Sequence, residues 1–154
     1  MNRFVVLALF LAVVLGGGLV IGFVTRPGAW YAGLAKPIFN PPNWVFAPVW
    51  TLLYVMIAIA GWRTFMRAPA DAAMIAWTVA LALNFLWSPI FFGAKRPDIA
   101  FGVIVALLAA IVAFIALSWR HDAIAAWLFV PYAAWVAFAT LLNEEIWRLN
   151  ASAA

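Results

Sequence analysis

From Phe4 to Val24 the chain carries no charge and no strongly polar side chain, with Arg3 before the run and Arg26 just beyond it. A helix rises about 1.5 Å per residue and bilayer hydrocarbon is about 30 Å thick, so an apolar run of this length is what crosses a membrane. Four more such runs follow: Trp44 to Phe65, Ala72 to Gly93, Ile99 to Trp119 and Ala123 to Trp147. Inside lipid the backbone must satisfy its own polar groups, and a helix does so within one segment. The expected fold is an all-α integral membrane bundle of five helices. It is read as one domain over residues 1–154 with its termini on opposite sides.

Composition supports this: 69% of residues are hydrophobic and 9% charged, too few to cover a water-facing surface. Arg3 ahead of an apolar stretch also fits a secretion signal. The run exceeds the usual length of such signals and no A-x-A site follows before Thr25, so a retained helix is expected. The net charge of +4 comes from basic residues placed singly or in pairs between apolar runs, where helix ends meet headgroups. Membrane lipid is therefore the expected partner, and nucleic acid is not. Arg3, Arg63, Arg67 and Arg120 fall on one side; Arg26, Lys36, Lys95, Arg96 and Arg148 fall on the other, so basic residues do not decide the orientation.

Three connections are short, but the first spans 25–43, TRPGAWYAGLAKPIFNPPN, with four Pro and two Gly among several large apolar side chains. Loops beyond about 12–15 residues without structure of their own are often functional lids. Pro27 suits a first helical turn and Pro37 disfavours helix at Lys36, so Gly28 to Ala35 is expected to hold one or two turns. A lid folded onto the bundle is one reading of this loop; an interfacial anchor for the second span is the other.

Of the ten Trp, Trp44, Trp62, Trp119 and Trp147 sit at span ends, as interfacial belts do. Trp50, Trp87 and Trp135 lie deeper. Helical spacing puts Trp50 with Tyr54, Asn84 with Trp87, Ser88 and Phe91, and Trp135 with Ala139, Leu142 and Asn143. Three spans thus each offer a face of flat aromatics with a few hydrogen-bonding groups. Such walls suit a flat hydrophobic ligand, and aromatic core packing would give the same stripes. Pro48, Pro89 and Pro131 fall within or near the ends of spans two, three and five, where a missing donor can kink a helix and open a cavity. The rows Ala8, Ala12, Gly16 and Gly18, Gly22 permit close helix approach, within the bundle or between copies.

Ordinary catalytic chemistry finds little support. With no Cys, thiolate sites and disulfides are excluded; His121 is the single imidazole, expected in a solvated loop. Glu144 and Glu145 end the last span, and Asp71, Asp98 and Asp122 stand at helix starts where carboxylates cap. No obligatory cofactor or metal is expected. A metal-free macrocycle would need only flat walls and cations for its acid groups, which Arg26 and Lys36 in the lid could supply.

WYAGLAKPIFNPPNWVFAPVWTLLY (Trp30 to Tyr54), LNFLWSPIFFGAKR (Leu83 to Arg96) and VPYAAWVAFATLLNEEIWRLN (Val130 to Asn150) resemble the signatures of the TspO/MBR family, the translocator proteins, tryptophan-rich sensory proteins or peripheral-type benzodiazepine receptors. These blocks cover just over a third of the chain, in order. The resemblance implies a five-helix bundle, commonly a homodimer, with a cavity under the loop between the first two spans. It implies tetrapyrrole ligands such as protoporphyrin IX and haem, sterols in animal members, and benzodiazepine-type drugs. Carried over residue by residue, it puts Tyr31, Trp50 and Trp135 on the ligand, Pro41 and Pro42 at the lid junction, and Asn84, Trp87, Ser88, Phe91 and Ala139 along the pocket. Tyr54 and Asn143 join them from the faces above. The Tyr of the animal sterol motif is absent from Asn143 to Arg148, which speaks against tight cholesterol binding. A receptor or sensor is the expected function. Light-dependent porphyrin breakdown, with Trp50 and Trp135 as the redox-active side chains, is one alternative, and transport of porphyrin or sterol another. Visible repeats and an intramembrane charge relay, which would favour transport, are missing. The expected location is a bacterial cell membrane, inner or outer.

Overall fold

The computed structural model describes residues 2–153. Six α-helices account for most of them: α1 Arg3–Val24, α2 Ala29–Ala32, α3 Asn43–Arg67, α4 Ala72–Ser88, α5 Pro97–Ser118 and α6 Ala123–Asn150. All but the single-turn α2 are long and apolar enough to cross a membrane, α4 doing so together with the π-helical turn Pro89–Gly93 that continues it. Large apolar side chains such as Leu19, Phe23, Ile75, Val112 and Leu141 stand on the outside, where only lipid suits them. The protein is a multi-pass integral membrane protein, with spans at the expected places and no end shifted by more than three residues.

Caps explain several of those ends. The Asn2 side chain accepts from the Phe4 N–H, Asp71 from Ala73 and Met74, and Asp122 from Ala125, each taking up donors that a helix start leaves free. Asp98 sits one residue inside α5 and pairs with Arg96 instead. Span three departs most from a simple helix. Pro89 has no N–H, so the ladder loses a donor there, and the chain widens until the Ala94 N–H reaches the Pro89 carbonyl at 2.8 Å. Lys95 then turns the chain with φ 56°, the left-handed conformation that a helix end often adopts.

Packing follows the ring α1, α3, α6, α5, α4. Sequence neighbours α3 and α4 are antiparallel, yet they touch only lightly because Tyr54, Phe85 and Trp77 fill the space between them. The Trp77 indole donates to the Ile57 carbonyl at 2.9 Å across that gap, directly over Gly61. The core is continuous along the ring, from Leu53 and Ile57 through Phe129, Tyr132 and Val136 to Ile104, Ile111 and Phe114. α1 is the least enclosed span. Its row Ala8, Ala12, Gly16 faces outward, with open space beside Gly16, whereas Gly17 and Gly18 lie against Phe85 and Tyr54.

Candidate functional site

The ring order brings one face each of α3, α4 and α6 together in the lid-side half of the bundle. Trp50 lies 5.5 Å from Tyr54 and meets Tyr132 edge-on at 6.4 Å. The Tyr54 hydroxyl donates to Asn84 Oδ1 at 3.2 Å, and Asn84 Nδ2 donates to Tyr132 Oη at 2.6 Å. Asn84 thus joins three helices in a polar line through an apolar interior, where each satisfied polar group avoids a desolvation penalty.

One turn nearer the lid, Trp87 stacks on Phe91 at 4.9 Å and donates its indole N–H to Asn143 Oδ1 at 2.9 Å. Asn143 is itself buried, and its amide donates to the Pro97 carbonyl at 2.8 Å, so it ties α4, α5 and α6. Ser88 shares a hydrogen bond of 2.6 Å with Thr25, whose hydroxyl also donates to the Ile21 carbonyl; the end of α1 is thereby fastened to α4. Ala139 packs against the main core between Trp135 and Asn143.

The 25–43 loop folds onto this end. Tyr31 of α2 is buried and meets Phe91 and Phe92 edge-on, while Trp30 meets Phe91 at 6.0 Å. Burial pushes the Tyr31 phenol above its ordinary pKa. A second latch comes from the far end of the chain: Asn150 Oδ1 accepts from the Ala35 N–H at 3.0 Å, and Asn150 Nδ2 donates back to the Ala35 carbonyl at 2.9 Å. Lys36 lies over the Tyr31 ring at 4.5 Å and directs its ammonium at the carbonyls of Tyr31, Leu34 and Ala32. It closes the lid's own turn. Arg26, by contrast, is exposed, its guanidinium 4.2 Å over the Phe23 ring. Pro41 and Pro42 carry the chain from the lid into α3, Pro41 half-buried and Pro42 exposed.

Trp135 stands somewhat apart from the Asn84 line. Its ring packs against Phe46 and Phe138, and it lines a groove of about 460 Å³ between α3 and α6 with Val49, Leu53, Pro131 and Ala134. The indole N–H of Trp135 is buried without an acceptor. Among the described residues two further buried atoms lack a partner, Asn40 Oδ1 in the lid and Ser118 Oγ at the end of α5. Native structures usually satisfy buried polar groups, so the Trp135 N–H is a donor awaiting a partner at this groove. His121 lies at the opposite end of the molecule, so it offers no imidazole to this site. Among the described residues no group of His, Asp or Glu is placed to hold a metal ion.

Helical spacing and family resemblance mark most of these side chains but not Tyr132, Thr25, Asn40 or Asn150. Tyr132 was within reach, three residues before Trp135 on the same face. The others act through contacts of long sequence separation, which spacing does not reveal.

The chain matches the family model described as TspO/MBR family over residues 9–148. It is 39% identical over 133 residues to Protein CrtK of Rhodobacter capsulatus, covering 84% of this chain and 83% of that protein. It is 38% identical over 135 residues to the tryptophan-rich sensory protein of Cereibacter sphaeroides, covering 88% and 85%. Against the human translocator protein the identity is 37% over 126 residues, covering 79% and 75%.

Proposed function

Since the chain belongs to the TspO/MBR family, we propose that it is a membrane sensor whose ligand is a flat tetrapyrrole, protoporphyrin IX or haem, held under the lid against Trp50 and Trp135. The observation that carries this reading is the buried, unpartnered indole nitrogen of Trp135 at an apolar groove. A macrocycle whose rim carries carboxylates offers the acceptor that this N–H lacks. The mostly apolar groove supplies the flat wall, while the sparse polar groups Tyr54, Asn84 and Tyr132 lie on the inward faces of α3, α4 and α6. Arg26 is the better placed of the two lid cations for a propionate, because Lys36 already spends its donors on lid carbonyls. Drug-like hydrophobic compounds would use the same wall. Two copies would meet through the outward face of α1, and crosslinking between Cys-substituted Ala12 positions tests that.

The test of the ligand is a dark titration of the purified protein with protoporphyrin IX, followed by Trp fluorescence, beside Trp50→Phe and Trp135→Phe. Saturable quenching weakened in both variants is expected. Non-saturating quenching identical in all three proteins would mean partition into detergent and would refute the site. The same samples under illumination test the alternative of porphyrin breakdown, which requires loss of the ring's absorption that disappears in variants still able to bind.

A further inference from the structure

At the end of the bundle away from the lid, the start of α1, the end of α3 and the α5–α6 turn enclose a polar pocket of about 470 Å³. Its walls carry Arg3, Arg63, Arg67 and His121, with Asp122 the one carboxylate. We propose that this pocket binds the phosphodiester headgroup of an anionic lipid in the leaflet opposite the lid.

Charge is the first argument. Asp122 is already matched, its two oxygens accepting from Arg63 Nε and Nη2 at 2.9–3.2 Å, and Asp71 nearby is matched by Arg67. The fork on Asp122 leaves Arg63 Nη1 free to donate, and Arg3 has no carboxylate partner among the described residues, its guanidinium resting over the Phe4 ring at 4.9 Å. The pocket thus keeps surplus positive charge and unused N–H groups suited to phosphate oxygens. Depth is the second argument. The Trp62 indole lines the pocket and donates to the Arg3 carbonyl at 3.0 Å, while Trp119 and Trp127 lie exposed at the same end and pack on each other. Amphipathic indoles settle at headgroup level, so the pocket opens where lipid phosphates lie. Met66 adds an apolar patch to the wall, and Phe4 and Val5, exposed in the first turn of α1 next to Arg3, give acyl chains an apolar lane into the span. A free inorganic phosphate would gain nothing from that lane.

Native mass spectrometry of the detergent-purified protein titrated with phosphatidylglycerol or phosphatidylcholine tests this, with inorganic phosphate as competitor. The wild type should retain phosphatidylglycerol preferentially. Arg3→Gln should weaken that retention about fivefold, the effect of one cation near a lipid surface, with melting unchanged because the Arg3 side chain holds no other element. Arg67→Gln should act in the same direction. Lys95→Gln, an equal loss of charge at the lid end, should leave retention as it was. Equal retention of the two lipids, or an equal loss in Arg3→Gln and Lys95→Gln, would overturn the site. Full displacement by millimolar inorganic phosphate would overturn the lipid in favour of a free anion.

Discussion

Gly18 is where the wall of the candidate site meets α1, and replacing it with Ala is the sharpest perturbation of that contact. A Cβ at Gly18 would stand 2.4, 2.8 and 2.9 Å from Cε2, Cζ and Cδ2 of Tyr54. These are ring atoms, not the end of a flexible chain, and the ring is confined by Trp50, by Phe85 at 6.3 Å and by its hydrogen bond to Asn84. Forcing a methyl into such packing costs about 1–3 kcal/mol. Losing the Tyr54 to Asn84 bond adds about 0.6–1.7 kcal/mol in a membrane interior, and the better helix propensity of Ala returns up to about 1 kcal/mol. The expected net loss is about 1–4 kcal/mol, read by equilibrium unfolding in mixed detergent. Because Tyr54 carries Trp50, protoporphyrin quenching should weaken as well. Gly16→Ala and Gly22→Ala, with nothing within 4 Å of the added carbon, should match the wild type or gain slightly. Adding Tyr54→Ala to Gly18→Ala should remove most of the clash, so the double variant should be less unstable than the two single losses added together. A Gly18→Ala protein as stable as the wild type would refute the proposed close approach of α1 to the site.

Asn150→Ala removes both hydrogen bonds to Ala35, and at about 1 kcal/mol net it should raise hydrogen exchange at the Ala35 amide about fivefold without shifting the unfolding midpoint by as much as Gly18→Ala does. Asn84→Ala strands the Tyr54 and Tyr132 hydroxyls and should cost about 1–3 kcal/mol in unfolding free energy. Burial opposes the charged form of Asp122, but the Arg63 fork and the Ala125 N–H outweigh it and hold its carboxyl below the ordinary value. The sign follows: stability from this pair is present above the ordinary carboxylate range and fades as pH falls through the lowered pKa, so Asp122→Asn should lose about 1 kcal/mol near neutrality and flatten the acid side of the stability curve.

The five spans were legible because hydrocarbon thickness sets helix length, and a run such as Phe4 to Val24 is longer than a secretion signal's apolar stretch. The faces holding Trp50 with Tyr54, and Asn84 with Trp87 and Phe91, were legible because helical spacing is periodic. What spacing could not supply was which faces meet. That depends on the ring order, in which α6 separates α3 from α5 and α4 stands off α3 behind Tyr54, Phe85 and Trp77. The π-helical turn was half visible in Pro89, which marks a lost donor without saying how the backbone accommodates it. Lys36 shows the limit for charges: its position in the lid suggested a ligand cation, while its geometry makes it a tie for the lid's own carbonyls. Asn150 was invisible because its partner lies 115 residues away.

The central claim is that a tetrapyrrole supplies what the buried Trp135 N–H lacks. Indole nitrogen-15 labelling, with the Trp135 resonance identified by its loss in Trp135→Phe, allows that one proton to be followed as protoporphyrin IX is added in the dark. The account predicts a saturable downfield shift of the Trp135 indole proton as it gains an acceptor, with the Trp77 indole, which already donates to Ile57, unmoved. A Trp135 resonance that stays in place while the ligand saturates the protein would contradict it.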